Sequence, residues 1–189
     1  MKLAQTLIKA GAVHRKFMRQ IFVSVDITAP LYFWKEFDTY KVGTTANSTS
    51  TMHTIQKKPI TIELFEIGDY NPNCFSELGI TPEQFIEVLE TLRANYLIYM
   101  EEAKNAENIE EREGFQNEAK RCWKELIRWL PDSWLQTRTV TMTYENLFAM
   151  CSKDQRRFHK LTEWRIDFMN FARSLPYAQP LIFLDEEIH

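Results

Sequence analysis

One run of residues constrains this chain more than any other: side chains alternate along it and then break on a proline. Ile21, Val23, Val25 and Ile27 alternate with Phe22, Ser24 and Asp26, the two-residue period of a β-strand with one face on a core. Pro30 follows where the first turn of a helix tolerates a residue without an N–H. Leu31, Trp34 and then Phe37 or Asp38 recur at helical spacing, so the segment is a strand feeding a short helix. Tyr32, Phe33, Trp34 and Phe37 cover that helix on every side. That assigns it to the core and to a subunit interface, and hints at an oligomer.

The following stretch, Lys41 to Met52, holds Gly43, Thr44, Thr45, Asn47, Ser48, Thr49, Ser50 and Thr51. Such residues compete for backbone hydrogen bonds and favour loops and caps, so a surface loop is expected. Ile60, Ile62 and Leu64 alternate as a short strand would, and Asn71-Pro72-Asn73 marks a turn. Thr81-Pro82-Glu83-Gln84 is a capping box with proline at the first helical position. Phe85, Val88, Leu89, Leu92, Tyr96 and Tyr99 then define one face of a helix. Acidic residues from Glu101 to Glu113 read as a solvated bend. A second helix carries Phe115, Ala119, Cys122, Leu126 and Trp129, ended by Pro131. Leu135 to Thr143 reads as a strand rich in Thr and Val, followed by a short apolar helix from Tyr144 to Cys151. A last helix from about Asp154 to Leu175 turns Phe158, Leu161, Trp164, Phe168, Phe171 and Leu175 inward, and Pro176 stops it. The mixture is α+β, with no internal repeat and no Gly-rich phosphate loop.

A chain of 189 residues, 44% of them hydrophobic, falls in the range of one globular domain spanning residues 1–189. The net charge of -3, with no long block of like charge, excludes a basic arm for nucleic acid and a polybasic membrane patch. Any anionic ligand must be gripped by local cations. Cys74, Cys122 and Cys151 are odd in number and form no C-x-x-C pair, so neither a disulfide framework nor a zinc site is supported and a reducing, cytoplasmic setting fits. Lys2, Gln5 and Lys9 interrupt the apolar residues at the start, which gives the expectation of a soluble, unprocessed protein.

From His14 to Lys41 the order and spacing resemble the front of the flavin-dependent thymidylate synthases. In that family an alternating strand runs into Ala-Pro, an aromatic helix, an Arg/Lys-Gln pair, an Arg-His-Arg triplet and a serine-containing signature. The frame fits without a gap, with Thr39-Tyr40-Lys41 at the triplet. Leu130-Pro131 stands where the family opens an extended segment, and Thr143-Tyr144-Glu145-Asn146-Leu147 where it has a stretch of the type Asn-Ala-Arg-Ser-Leu. Arg156 or Arg157 then precedes Leu161-Thr162-Glu163 once a two-residue insertion is allowed. The resemblance runs to about Phe171 and marks the chain as a divergent relative lacking Arg-His-Arg. It implies a mixed sheet with helices and a homotetramer with active sites between subunits. Those sites bind FAD, dUMP, methylenetetrahydrofolate and NADPH, and reduced flavin mediates methylation of the uracil C5.

Carried over by position, the resemblance puts Thr39, Tyr40, Lys41 and Thr143 at the flavin, and Glu36, Thr44, Thr49, Arg128 and Arg156 at the nucleotide. Lys41 keeps a positive charge, as a point charge without the planar fork of arginine. Thr51 stands at the signature's terminal arginine. Glu36 replaces the glutamine placed near the base, and an ionised carboxylate only accepts hydrogen bonds, so the pattern offered to uracil N3–H changes. Arg128, Arg138, Arg156, Arg157 and Lys160 are the candidates for a phosphate clamp, with Arg156 the better match to the nucleotide-binding arginine. Arg156, Arg157 and Lys160 also fit the wet face of an amphipathic helix.

His53 and His159 lack neighbours for a triad or a metal site and read as structural or solvent-facing. Three functions compete: a flavin-dependent synthase acting on dUMP or a related pyrimidine nucleotide, a nucleotide-binding or regulatory protein that kept the fold, and a structural assembly protein. Fold alone does not choose among them, because function resides in the site.

Overall fold

The alternation becomes a strand, Phe22–Pro30, with Val23, Val25 and Ile27 half-buried and Ser24, Asp26 and Thr28 exposed. The computed structural model describes residues 1–73, 77 and 79–184, the side chains of 157 and 158 excepted. Cys74, the clamp alternative Arg157 and the inward-facing assignment of Phe158 therefore lie outside the described residues. In chain order the strands are β1 (Phe22–Pro30), β2 (Thr45–Ser48) and β3 (Leu135–Thr143). The longer helices are α1 (Lys2–Lys9), α2 (Leu31–Phe37), α3 (Thr51–Thr54), α4 (Pro82–Asn105), α5 (Ile109–Arg128), α6 (Tyr144–Met150), α7 (Lys153–Phe158), α8 (Met169–Ser174) and α9 (Ala178–Leu181). Two compact units result: Met1–Ser48 with Thr137–His189, and Thr49–Gln136.

In the first unit the sheet has the order β1-β3-β2. Thr45, Ala46, Asn47 and Ser48 face Thr141, Val140, Thr139 and Arg138 in antiparallel register. On the exposed face Thr28 bonds Thr137, Asp26 bonds Thr139 and Ser24 bonds Thr141. Those pairs step in opposite senses along the two strands, so β1 and β3 are antiparallel as well. The sheet is thus antiparallel where a mixed sheet was expected, and β2 lies inside the segment read as a loop. Its four residues are all exposed, so no buried stripe announced it; the central strand supplies its partner.

Pro30 closes β1 and serves as N-cap of α2, with φ −68° and ψ 157°, one position earlier than expected. Phe33, Trp34 and Phe37 of α2 are buried in one cluster with Trp164 and Phe168. Two buried indoles have their N–H groups satisfied, Trp34 by the Ala29 carbonyl at 3.1 Å and Trp164 by the Met150 carbonyl at 3.2 Å. Phe33, Trp34 and Phe37 thus face the chain's own core, while Lys35 is exposed and Leu31, Tyr32 and Glu36 are half-buried. The final helix, expected in one piece, is divided. After α7 the backbone of His159 is extended, with φ −65° and ψ 126°, and a π-helical stretch from Glu163 to Phe168 leads into α8. The wider π turn lets Trp164, Phe168, Met169 and Ala172 all reach the core.

In the second unit α4 and α5 form an antiparallel hairpin. The Thr81 capping box is complete: its hydroxyl accepts the Gln84 N–H and the Gln84 side chain accepts the Thr81 N–H. Leu89 of the predicted face is fully buried and Phe85, Leu92, Tyr96 and Tyr99 are half-buried, whereas Val88, expected inward, is 55% exposed and Ile86 is buried in its stead. The bend is narrower than the acidic run suggested. Asn108 caps α5 through the Glu111 N–H, and Glu110 and Glu111 suit the positive end of the helix dipole. The expected strand at Ile60 is a short 3-10 turn, Ile62–Leu64, with a single bridge from Phe65 to Trp134. Its first N–H, from Ile60, goes to the Glu90 carboxylate at 2.7 Å, not to a ladder. Among the described residues no helix is long and apolar enough to cross a membrane.

Candidate functional site

The break in the last helix makes a cleft. Tyr32, Lys35 and Glu36 of α2 form one wall, and Asp154, Gln155, His159, Lys160 and Leu161 the other, around a volume of about 500 Å³. At its centre is Glu36, half-buried, whose Oε1 lies 3.4 Å from Gln155 Nε2 and 3.6 Å from His159 Nε2. The His159 ring stacks face to face on Trp164, centroids 4.8 Å apart and planes 6° from parallel. Its Nδ1 accepts the Leu161 N–H at 3.1 Å. An accepting Nδ1 puts the proton of the neutral ring on Nε2, the nitrogen that faces Glu36. Tyr32 donates its hydroxyl to Glu163, which holds one rim.

The residues aligned with the Arg-His-Arg triplet follow directly from α2. The Thr39 hydroxyl bonds the Glu36 carbonyl at 2.8 Å, closing the helix end. Tyr40 packs on Trp164 at 5.5 Å, and burial, then the Glu36 charge, pushes its phenol above the usual range. Lys41 is exposed. The Thr44 hydroxyl bonds the Tyr40 carbonyl at 2.6 Å. Asn146 ties this turn to the next element: its Nδ2 donates to the Val42 carbonyl at 2.6 Å. Gly43, at φ +81°, passes so close that a Cβ there would meet Asn146 Oδ1 at 3.1 Å. Thr143 forms a capping box with Asn146 at the start of α6, so it holds that helix end.

The other predicted residues are dispersed. Thr49 and Arg128 belong to the second unit, and Arg128 pairs with Glu125 on an exposed helix face. Arg138 lies over the Trp34 ring at 4.4 Å and pairs with Asp38 at 2.9 Å, so its fork supports the end of α2. Arg156 and Arg173 lie over the Phe183 ring at 5.6 and 5.1 Å, and Arg156 is not among the residues lining the cleft. Of the nine predicted site residues, the cleft itself takes Glu36; Thr39, Tyr40, Lys41, Thr44 and Thr143 surround the turn beside it.

Sequence reasoning did not assign Tyr32, Lys35, Gln155 or His159 to a site. The spacing 158, 161, 164, 168 continues without a fault, so no local signal marks the break that turns His159 inward. A second cleft, of about 630 Å³, lies in the other unit between Phe65, Ile67, Tyr70, Ile80 and Phe85, with Glu66 and Asp69 on its lining. It contains none of the residues to which the sequence pointed. Among the described residues no group of three His, Cys, Asp or Glu side chains could hold a metal ion.

Positions 39–41 do not fit FAD in the manner of an Arg-His-Arg grip. One hydroxyl is committed to a helix end, one ring is packed into the core, and a single lysine remains. The fold is nonetheless of a known class, that of the flavin-dependent thymidylate synthases. A thymidylate synthase X from Helicobacter pylori, solved with FAD and dUMP, matches 98% of this chain and 83% of its own with a TM-score of 0.61, at 13% sequence identity. A further structure of the Helicobacter pylori enzyme, complexed with FAD and dUMP, gives a TM-score of 0.45 at 13% identity, covering 97% of this chain and 93% of that one. No family model and no curated protein matches the sequence.

Proposed function

We propose that this protein binds a pyrimidine nucleotide in the Glu36 cleft. The observation that carries this reading is the carboxylate of Glu36, held by Gln155 and His159 with Lys35 and Lys160 on the same lining. An oriented acceptor with two lysines on the lining, one of them offset by Asp154, suits a ligand with a hydrogen-bonding base and an anionic group. The structural neighbour solved with FAD and dUMP supports it at the level of fold. Lys41, Thr44 and the neighbouring turn would add contacts to the phosphate, and Thr49, Arg128 and Arg156 would contribute in a homotetramer with sites between subunits.

The fuller reading is a synthase that methylates dUMP at C5 with FAD, NADPH and methylenetetrahydrofolate. The commitments of Thr39 and Tyr40 favour the alternative, a nucleotide-binding protein that kept the fold without the flavin chemistry. Purified protein titrated with FAD and with pyrimidine nucleotides, followed by thermal midpoint and flavin fluorescence, separates the two. A ligand specific to the native state raises stability by about RT ln(1 + [L]/Kd). Nucleotide binding without flavin binding is the expected result; binding of neither overturns the proposal.

A further inference from the structure

We infer that the Glu36 cleft selects a pyrimidine whose base edge carries an amino group, cytosine before uracil; this rests on the nucleotide reading above. Glu36 Oε1 already faces two protein donors, Gln155 Nε2 at 3.4 Å and His159 Nε2 at 3.6 Å. Its second oxygen is the acceptor left for a ligand. The same contact orients Gln155. A carboxylate accepts and does not donate, so it draws the amide N–H2 of Gln155 toward itself and leaves the amide carbonyl as that side chain's other polar group. The His159 tautomer is set independently, by the Leu161 N–H on its Nδ1. The cleft therefore presents two acceptors, Glu36 Oε2 and Gln155 Oε1, beside an imidazole N–H whose 3.6 Å approach to Glu36 Oε1 is too long for a hydrogen bond and leaves it for a ligand.

The two bases answer that pattern differently. Uracil offers a single donor, N3–H, between two carbonyl oxygens, so one of the two protein acceptors is left facing a ligand acceptor. Cytosine offers both hydrogens of its 4-amino group, and its N3 accepts from His159 Nε2–H. A polar group left against one of like kind costs more than a missing bond, which is how a site built on hydrogen bonds discriminates strongly. A glutamine at position 36 would both donate and accept, and would serve uracil.

The test is calorimetric titration of the whole protein with dCMP and dUMP, in wild type, Glu36→Gln and Gln155→Leu. The wild type is expected to bind dCMP at least roughly tenfold more tightly than dUMP, a ratio that one hydrogen-bond mismatch of this kind produces. Glu36→Gln should abolish or reverse the preference, and Gln155→Leu should narrow it by improving dUMP binding. Equal affinities in the wild type, or tighter dUMP, overturn the selection and leave the nucleotide reading standing. A preference unchanged in both variants also overturns it, because the selection would then lie elsewhere. Binding of neither nucleotide overturns the reading on which it rests.

Discussion

Replacing Asn146 by alanine removes two unlike restraints at once. Asn146 Oδ1 accepts the Thr143 N–H at 3.0 Å, completing the capping box of α6, and Nδ2 donates to the Val42 carbonyl at 2.6 Å, pinning the turn that carries Lys41. Loss of a capping interaction costs about 1 kcal/mol. The bond to the carbonyl of exposed Val42 adds about 1 kcal/mol, the net worth of an ordinary hydrogen bond with no burial penalty, so Asn146→Ala should destabilise the first unit by about 2 kcal/mol. At a urea dependence of about 2 kcal/mol per molar, that lowers the midpoint by about 1 M. Urea unfolding followed by backbone ellipticity and indole fluorescence measures it. Asn146→Asp separates the two restraints, since it keeps an acceptor for Thr143 and loses the donor to Val42; it should cost about half as much. If Asn146→Ala shifts the midpoint by less than about 0.2 M, both bonds are energetically idle and the reasoning fails.

Lys41→Ala should weaken a nucleotide roughly fivefold and leave the corresponding nucleoside unaffected, as loss of one solvent-exposed phosphate contact predicts; equal nucleotide affinity removes Lys41 from the site. Burial pushes the Cys151 thiol up to about 12 from 9.0, against the opposing pull of Arg156 and Arg173. A folded pKa above the unfolded one contributes stability that is complete below pH 9.0 and is lost as pH rises toward 12. Cys151→Ala should therefore flatten the alkaline decline in thermal midpoint, and a parallel decline in both proteins would refute this. Glu90 accepts the Ile60 N–H and pairs with Arg93, which holds its carboxyl below the usual range. That stabilisation is present above about pH 4.5 and fades as the solution is acidified. Glu90→Gln should lower stability at neutral pH by about 2 kcal/mol and remove part of the acid slope, readable from urea midpoints at pH 7 and pH 4.

Where a local pattern carried its own physical cause, it was legible from residues alone. The alternation before Pro30, the Thr81 capping box, the Thr/Val strand from Leu135 to Thr143 and the short helix after it all appear where the sequence placed them. Each depends on interactions within a few residues: period against one core face, a hydroxyl reaching an N–H three residues on, a proline with no N–H to lose. The order and spacing that resembled the flavin-dependent thymidylate synthases likewise led to the fold, because spacing encodes the succession of elements. Two of the misses have a shared cause. Thr45–Ser48 is a strand because β3 offers it a partner, and Ile60 is not a ladder residue because Glu90 takes its N–H. His159 shows the limit most clearly. Its neighbours 158, 161 and 164 keep perfect helical spacing, and only the packing of Trp164 against α2 breaks the helix and swings the imidazole toward Glu36. Composition, the elements with a local physical cause and the candidate carboxylate were determined by the sequence itself. Which side chains meet that carboxylate was decided by tertiary packing, since burying a large indole with its N–H satisfied outweighs the loss of a helical turn.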